Sequence, residues 1–320
     1  MTHSSSTSVP PLVVCGESLL DVFQDRATPG GLLLDAVVGG SPLNVAIGLT
    51  RLGVPTWFLG GLSSDFLGER IRAHMAQEGL GLEALALGDA PTTLSLIGVD
   101  AAGVPSYRFY GHGGADRQLR PEHLRCLPSR IAALHVGSYA CVVEPIGSTI
   151  RELVQARCAD TLIAYDPNIR LNVEPDIEVW QAMLGWMSYR AHLIKLSDED
   201  FERLYPGQAP EVLAQRWLQA GVKLVVMTRG GQGAFAWHRS GGVIEVAAPH
   251  ITVADTVGAG DTVQAAMLTW LHEHDRLTPA GLAGLDAAQV RELLGFAVRA
   301  AAITCTRRGP DMPRRDQLTA

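Results

Sequence analysis

The sequence predicts an α/β fold in which a parallel β-sheet is flanked by helices and carries a small β-sheet lid. Three observations predict it. Strand-length apolar runs alternate with amphipathic, helix-length stretches along most of the chain, as in successive βαβ units. Several of these runs, KLVVMT among them, are apolar almost throughout, as strands covered on both faces are. Runs around Leu32–Val38, Thr92–Asp100 and Ser106–Tyr110 read as extra strands without helices of their own and break that rhythm.

Residues 1–10, rich in Ser and Thr, read as a flexible leader, and 11–320 as the folded domain. Strands are predicted over Pro11–Glu17, Pro55–Leu62, Ile131–Ser138, Thr161–Pro167, His192–Ser197 and Lys223–Arg229. Helices are predicted over Ser41–Leu52, Asp65–Gln77, Pro145–Cys158, Asp176–Arg190 and Ala209–Ala220. Ser41-Pro42 supplies an N-cap and a proline for the first helical position. Gly79 and Gly221 stand where helices stop. The lid strands, near 19–38 and 92–111, are expected to form an antiparallel sheet, the second pair joined by a turn holding Ala101, Ala102 and Gly103. Such an inserted sheet is a natural cover for a site at the strand C-termini.

Composition narrows the function classes. Of 320 residues, 47% are hydrophobic and 18% charged, a mix that fills a large core and argues against disorder. With 26 Lys+Arg against 33 Asp+Glu the net charge is −7, which gives no general grip on a nucleic-acid backbone. No apolar run reaches the roughly 18 residues of a membrane helix. The N-terminus, MTHSSSTSVPP, lacks the basic and apolar regions of a secretion signal. Cys15, Cys126, Cys141, Cys158 and Cys305 are widely spaced with no CxxC pair. They read as structural thiols in a reducing cytoplasm rather than as a zinc site or disulfide framework. His272 and His274, two residues apart, do not share a helix face and make a poor metal pair.

The segment richest in chemistry is Asp255–Asp261, DTVGAGD, followed by the helical pattern TVQAAMLTWLHEH. Gly258, Ala259 and Gly260 are small enough for another molecule to approach the backbone. At a helix start their N–H groups form an anion cradle aided by the helix dipole. Asp261 then places a carboxylate beside the cradle. That charge fits a proton acceptor for a nucleophile attacking the anion. It also fits an ordinary acidic residue stabilising a helix N-terminus.

This string resembles the C-terminal signature of the PfkB, or ribokinase-like, family of sugar kinases. A second family element stands near the N-terminus, Gly39-Gly40-Ser41-Pro42-Leu43-Asn44-Val45-Ala46. It is followed by Leu52-Gly53, Leu59-Gly60-Gly61 and Asp65-Phe66-Leu67-Gly68. The similarity runs from Val13 to about Pro313. Tyr107-Arg108-Phe109-Tyr110 with Ala115-Asp116, Asp166-Pro167-Asn168-Ile169-Arg170, and Lys195-Leu196-Ser197-Asp198-Glu199 resemble fructokinases in particular. The resemblance implies a Rossmann-like parallel sheet of the ribokinase-like type with a β lid. It implies an ATP-dependent sugar kinase that moves the γ-phosphoryl group of ATP to a primary hydroxyl, fructose being the first candidate.

On that resemblance Asp261 is the base, and the amides of Gly258, Ala259 and Gly260 stabilise developing charge. Asp21 and Asn44 match sugar-binding positions, with Gly39 and Gly40 letting the backbone approach the sugar; Asn44 also reads as a polar helix residue satisfied by the backbone. Arg108 and Arg170 are candidate substrate contacts and Phe109 an apolar wall, although an arginine beside an aromatic is often plain surface packing. Thr228, Gly230 and Gly233 of TRGGQG match the nucleotide turn, and Lys195 with Asp198 match an element linked to magnesium and phosphate placement. Asp198, acting through water, is the candidate Mg2+ ligand; a solvated helix start capped by Ser197 explains the same residues. Asp255, Val257, Thr304, Arg307 and Gly309 match a monovalent-cation site for K+, although Pro313 stands where some relatives have serine. Val263 replaces a common phenylalanine, and His112 in GHGG reads as an exposed loop residue.

The expected partners are therefore a small sugar and ATP, with no nucleic acid or membrane, and a homodimer through exposed lid strands. 2-Keto-3-deoxygluconate kinase and ribokinase are the rivals within the enzyme class, Arg108 or Arg170 supplying a cation for a carboxylate substrate. A catalytically silent sugar-binding regulator on the same fold is the rival from another class; the intact Asp261 and cradle oppose it. Val13–Leu20 contains no GxGxxG, which disfavours a dinucleotide oxidoreductase.

Overall fold

The computed structural model describes residues 9–99, 105–240 and 242–318. Most of the expected leader and the Ala101–Gly103 turn lie outside them. The strands are β1 (Leu12–Cys15), β2 (Leu19–Thr28), β3 (Gly31–Gly39), β4 (Thr56–Ser63), β5 (Leu85–Gly88), β6 (Leu94–Val99), β7 (Pro105–Tyr110), β8 (Ala133–Gly137), β9 (Leu162–Asp166), β10 (Leu193–Ser197), β11 (Leu224–Thr228), β12 (Ala234–His238) and β13 (Val243–Val246). The helices are α1 (Ser41–Arg51), α2 (Phe66–Gln77), α3 (Ile146–Arg157), α4 (Ile177–Met187), α5 (Asp198–Leu204), α6 (Pro210–Ala220), α7 (Ala259–Glu273), α8 (Pro279–Ala283) and α9 (Ala287–Cys305). None of the described helices is long and apolar enough to cross a membrane.

The larger sheet runs β13-β12-β11-β10-β9-β8-β1-β4-β5. Every pair from β11 to β5 is parallel, and β12 and β13 close the far edge as an antiparallel hairpin that no apolar alternation announces in the sequence. The parallel strands are buried on both faces, so successive residues of one strand feed two cores. In β1, Leu12 and Val14 join a core with Leu43, Leu49, Met267 and Leu294 of α1, α7 and α9. Val13 and Cys15 join the other, with Ile150, Trp180, Phe201 and Trp217 of α3, α4, α5 and α6. Helix α1 is buried over nine consecutive residues because it lies between the sheet and α7.

Strand β1 pairs with β4 on one side and β8 on the other, and the chain moves outward from it in both directions. The crevice above the C-terminal ends of β1 and β8 is thus the topological switch point, where open α/β sheets bind ligands.

The lid is a four-stranded sheet in the order β3-β2-β6-β7. It is mixed rather than antiparallel: β2–β3 and β6–β7 are hairpin pairs, but β2 and β6 run parallel, with Asp21 beside Ser95. The reason is connectivity. Between β2 and β6 the chain crosses the main sheet through α1, β4, α2 and β5, so both strands leave from the same root and point the same way. Ser41 does not cap α1. Gly40, at φ 108°, is the cap position of α1, and Ser41 is its first helical residue with its hydroxyl turned elsewhere.

Helix α2 starts where its sequence predicts, on Asp65. Its Oδ1 accepts the Gly68 amide at 2.7 Å and the Thr92 hydroxyl at 2.6 Å, and its Oδ2 accepts the Thr92 amide at 2.9 Å. Desolvation pushes this carboxyl up, but the hydrogen bonds from Thr92, Gly68 and Ser63 outweigh it and hold the pKa down at about 2. Asp65→Ala removes the cap and both ties to the root of the lid. Its expected cost is about 0.5–2 kcal/mol, read from the urea midpoint at pH 7.

Candidate active site

The site is built where the starts of α1 and α7 meet the C-terminal ends of β1, β8 and β9. The turn into α7 depends on Gly258, which sits in the left-handed region at φ 78° as the N-cap. A side chain there would be strained, and its Cβ would lie 2.7 Å from the Pro310 ring. Asp255 staples this turn, its Oδ1 accepting the Val257 amide at 3.1 Å and its Oδ2 the Gly309 amide at 2.8 Å. The Ala259 amide is consumed inside the turn by Thr256 O at 3.2 Å, and the helix ladder begins with Thr262 N–H on Gly258 O at 2.8 Å. Among the described residues the Gly258, Gly260 and Asp261 amides have no backbone partner in this turn and remain for an anion, so the cradle expected over Gly258–Gly260 loses the Ala259 amide and gains that of Asp261.

Asp261 is 6% exposed and takes three donors from distant segments. The Ser41 hydroxyl donates to its Oδ1 at 2.7 Å and the Asn44 amide to its Oδ2 at 2.9 Å. Asn168 donates to Ser41 Oγ at 2.5 Å and reaches Asp261 Oδ1 at 3.5 Å. Asn168 stands at φ 37°, a left-handed conformation that asparagine tolerates better than most side chains. Ser41 and Asn168 both lie inside motifs already singled out in the sequence. Nothing in their local pattern says that they converge on Asp261.

Beneath the start of α7 lies a buried ion pair, Lys195 Nζ to Asp166 Oδ2 at 2.7 Å. A Cβ placed on Gly260 would be 2.9 Å from Lys195 Nζ, so the ammonium sits under the cradle. Burial raises the Asp166 pKa to about 6 against the pull of Lys195. Nearby Glu17, 1% exposed at the end of β1, is raised by burial to about 8, with the Asp116 charge adding to the rise and Ser138 and Arg170 opposing it. Glu17 carries no sequence signal of its own, and Asp166, although it opens the Asp166–Arg170 motif, is marked there by nothing that foretells its burial.

The lid brings Asp21 to this crevice. Burial raises its carboxyl, Ser95 and Arg170 counter that, and the charge of Asp261 adds to the rise. Gly39 lies so close to Asp21 that a side chain would collide with the carboxylate. Arg170 is half-buried, its Nη1 donating to the Ile169 carbonyl at 3.0 Å. Phe109 packs edge-to-face on Tyr139 of the main body, with ring centroids 5.8 Å apart. Neighbouring Arg108 is exposed and, by strand alternation, belongs to the opposite face, so the structure brings Phe109 and not Arg108 against the main body.

The remaining candidates lie further along the same sheet edge. Thr228 ends β11 in register with Ser197 of β10, which places the 228–233 turn beside Asp198. Within that turn the Arg229, Gln232 and Gly233 amides are spent internally, while Gly230 and Gly231 are exposed. Asp198 is exposed, its Oδ1 accepting the Glu199 amide at 3.0 Å. Around the Asp255 turn, the Cys305 carbonyl accepts the Ala254 and Asp255 amides at 2.8 and 3.3 Å, and the buried Thr304 hydroxyl pairs with Thr262 at 2.9 Å. These bonds bring Asp255 and Val257 to Thr304 and Gly309. Among the described residues no cluster of three His, Cys, Asp or Glu could hold a metal ion.

Because Glu17 has a folded pKa of about 8 against an ordinary value of 4.5, its contribution to stability is complete below about 4.5 and is lost as pH rises through 8. Glu17→Gln mimics the neutral acid and removes this titration. The melting temperature of the wild type is expected to fall more steeply between pH 6 and 9 than that of Glu17→Gln, measured by scanning calorimetry.

Residues 34–316 match the pattern of the pfkB family carbohydrate kinases. A fructokinase from Rhizobium leguminosarum bv. trifolii is 33% identical over 280 residues, covering 88% of this chain and 85% of that protein. Among solved structures, an ATP-bound fructokinase from Xylella fastidiosa superposes with a TM-score of 0.85 at 24% identity, covering 96% of both chains. An aminoimidazole riboside kinase from Salmonella enterica superposes at 0.79 with 22% identity, covering 96% of this chain and 98% of that one, so the fold itself is shared by kinases of different substrates. With the family pattern spanning most of its length, this chain belongs to the pfkB family of carbohydrate kinases.

Proposed function

We propose that this sugar kinase phosphorylates fructose, transferring the γ-phosphoryl group of ATP to a primary hydroxyl. The observation that carries the chemistry is the Asp261 carboxylate, held at the N-terminus of α7 by Ser41 and Asn44. In the reaction the sugar oxygen forms the new O–P bond, its proton passes to Asp261, and the bond from the γ-phosphorus to the bridging oxygen breaks to leave ADP. The Gly260 and Asp261 amides, the α7 dipole and the Lys195 ammonium meet the charge on the transferring group. Magnesium, when bound, neutralises the phosphates. The donors at this edge are oxygens, and Asp198 would hold the ion through water, as suits an ion that keeps several waters. Asp255, Val257, Thr304, Arg307 and Gly309 would hold a K+ ion, mainly through backbone carbonyls. The Thr228, Gly230 and Gly233 turn receives the nucleotide.

Fructose is supported by relatives named fructokinase and by a crevice in which Asp21, Asn44 and Asp261 offer carboxylates and an amide to hydroxyls. A coupled ADP-release screen over fructose, ribose, 2-keto-3-deoxygluconate, glucose, adenosine and fructose phosphates tests it. Fructose should give the highest kcat/KM. Preference for 2-keto-3-deoxygluconate would assign Arg170 to its carboxylate, preference for ribose would make the chain a ribokinase, and no turnover on any sugar would make it a binding protein.

Asp261→Asn is expected to lower kcat by about 10²–10⁴ while sugar and ATP still bind by calorimetry. Under a purely dipole-stabilising role it would cost about 0.3–1 kcal/mol of stability and leave turnover of the folded protein intact.

The working form we propose is a homodimer through the lid. Leu32, Leu33 and Leu34 of β3 are 42–49% exposed although consecutive residues face opposite sides, so this strand is bare on both faces and lies at a sheet edge. Sedimentation should show a dimer that Leu33→Glu converts to monomer; a wild-type monomer would reject the assembly.

A further inference from the structure

The lid carries Asp21 and Phe109, so something must set its angle over Asp261. Its second hairpin leaves the body at Pro91–Thr93 and returns at 111–116, and both roots end on one side chain, Asp116. The Thr93 hydroxyl donates to Asp116 Oδ1, and the Tyr139 hydroxyl, from the turn after β8, donates to Asp116 Oδ2 at 2.9 Å. Thr93, Asp116 and Tyr139 are each no more than 2% exposed. The backbone repeats the junction. Ala115 N–H donates to Pro91 O at 2.9 Å, and Leu20 N–H, beside Asp21, donates to Thr93 O at 3.1 Å. Gly114 fits so tightly between Thr93 and Asp116 that a side chain there would run into both.

We propose that Asp116 is a positioning residue for the sugar site: its carboxylate clasps the two roots of the lid to Tyr139, in the turn after β8 of the main body, and so fixes where Asp21 and Phe109 stand. The chain of contacts is short on both sides. Thr93 lies two residues before Ser95, which pairs in register with Asp21 and hydrogen-bonds its carboxylate. Tyr139, which donates to Asp116 with its hydroxyl, packs its ring edge-to-face with that of Phe109. One carboxylate therefore joins the strand that presents the polar sugar contact to the ring that seats the apolar one. The sugar part of this inference rests on the proposed kinase reading; the clasp itself does not.

Two variants cut the clasp from opposite sides. Tyr139→Phe keeps the ring against Phe109 and loses only the hydroxyl, and Thr93→Val loses only the lid-side bond. In the full-length protein without sugar, each should speed hydrogen exchange in β6 and β7 while β9, β10 and β11 exchange as in the wild type. With fructose and ATP as substrates, each should raise the fructose KM about tenfold and leave the ATP KM and kcat within about twofold, since loss of one internal hydrogen bond corresponds to that range. Thr93→Ser, which restores the hydroxyl, should recover both readouts. The double variant should be no worse than Asp116→Ala, because both bonds end on one carboxylate. Wild-type exchange in β6 and β7 in both single variants would overturn the clasp, as would faster exchange spread equally over lid and main sheet. Faster lid exchange with an unchanged fructose KM would overturn the positioning role. If fructose is not turned over, the fructose reading fails while the exchange result still decides the clasp.

Discussion

Asp261 stands where it does because two helix N-termini from opposite ends of the chain are brought nose to nose. Its partners Ser41 and Asn44 lie 220 and 217 residues away in sequence, on the first turn of a helix buried between the sheet and α7. Hydrogen bonds to a charged group are worth about 1.5–3 kcal/mol each, and an unpaired buried carboxylate is costly. The contact therefore locks α1 to α7 as firmly as it positions the carboxylate. It also joins the positive ends of two helix dipoles at one place. The left-handed Gly258 and the Asp255 staple to Gly309 exist in the service of that meeting, because they let the chain turn sharply into α7 under Pro310.

Below the contact lies a layer of buried charge that an apolar core would not need. The Lys195–Asp166 pair is almost fully buried, and a buried ion pair seldom adds stability over apolar residues of the same size. What it supplies is position: an ammonium under the amides of Gly260 and Asp261, held by a carboxylate from the neighbouring strand. Glu17, by contrast, has no cation bonded to it among the described residues, and burial favours its neutral acid. Burial thus raises both carboxyls in this crevice, and raises Asp166 less because Lys195 pulls against it.

The lid divides the labour with the main sheet. The body supplies groups that meet charge, namely helix amides, Lys195 and Asp261. The lid supplies groups that suit a neutral, hydroxyl-rich molecule, namely Asp21 with Ser95 behind it and the Phe109 ring against Tyr139. Phosphoryl transfer depends mainly on positioning and electrostatics, so separating these tasks onto two sheets leaves the charged groups on the rigid main body.

Local physics made much of this legible. The alternation of apolar runs and amphipathic stretches determined the parallel sheet, and the strand runs at Pro11–Glu17 and Lys223–Arg229 contain β1 and β11. DTVGAGD determined a helix start with a carboxylate beside open amides, because small residues, a left-handed turn and an N-terminal acid are all short-range requirements. Tertiary structure decided the rest. It turned Ser41 from a cap into a partner of Asp261, spent the Ala259 amide in a turn, placed Lys195 under the cradle and made β2 and β6 parallel. It also made Glu17 and Asp166 unusual and gathered Thr93, Asp116 and Tyr139 at one point. Those outcomes depend on desolvation and on contacts between segments far apart in sequence. Residue spacing encodes which elements form, but only the packed sheet determines which side chains share one crevice and which of them lose their water.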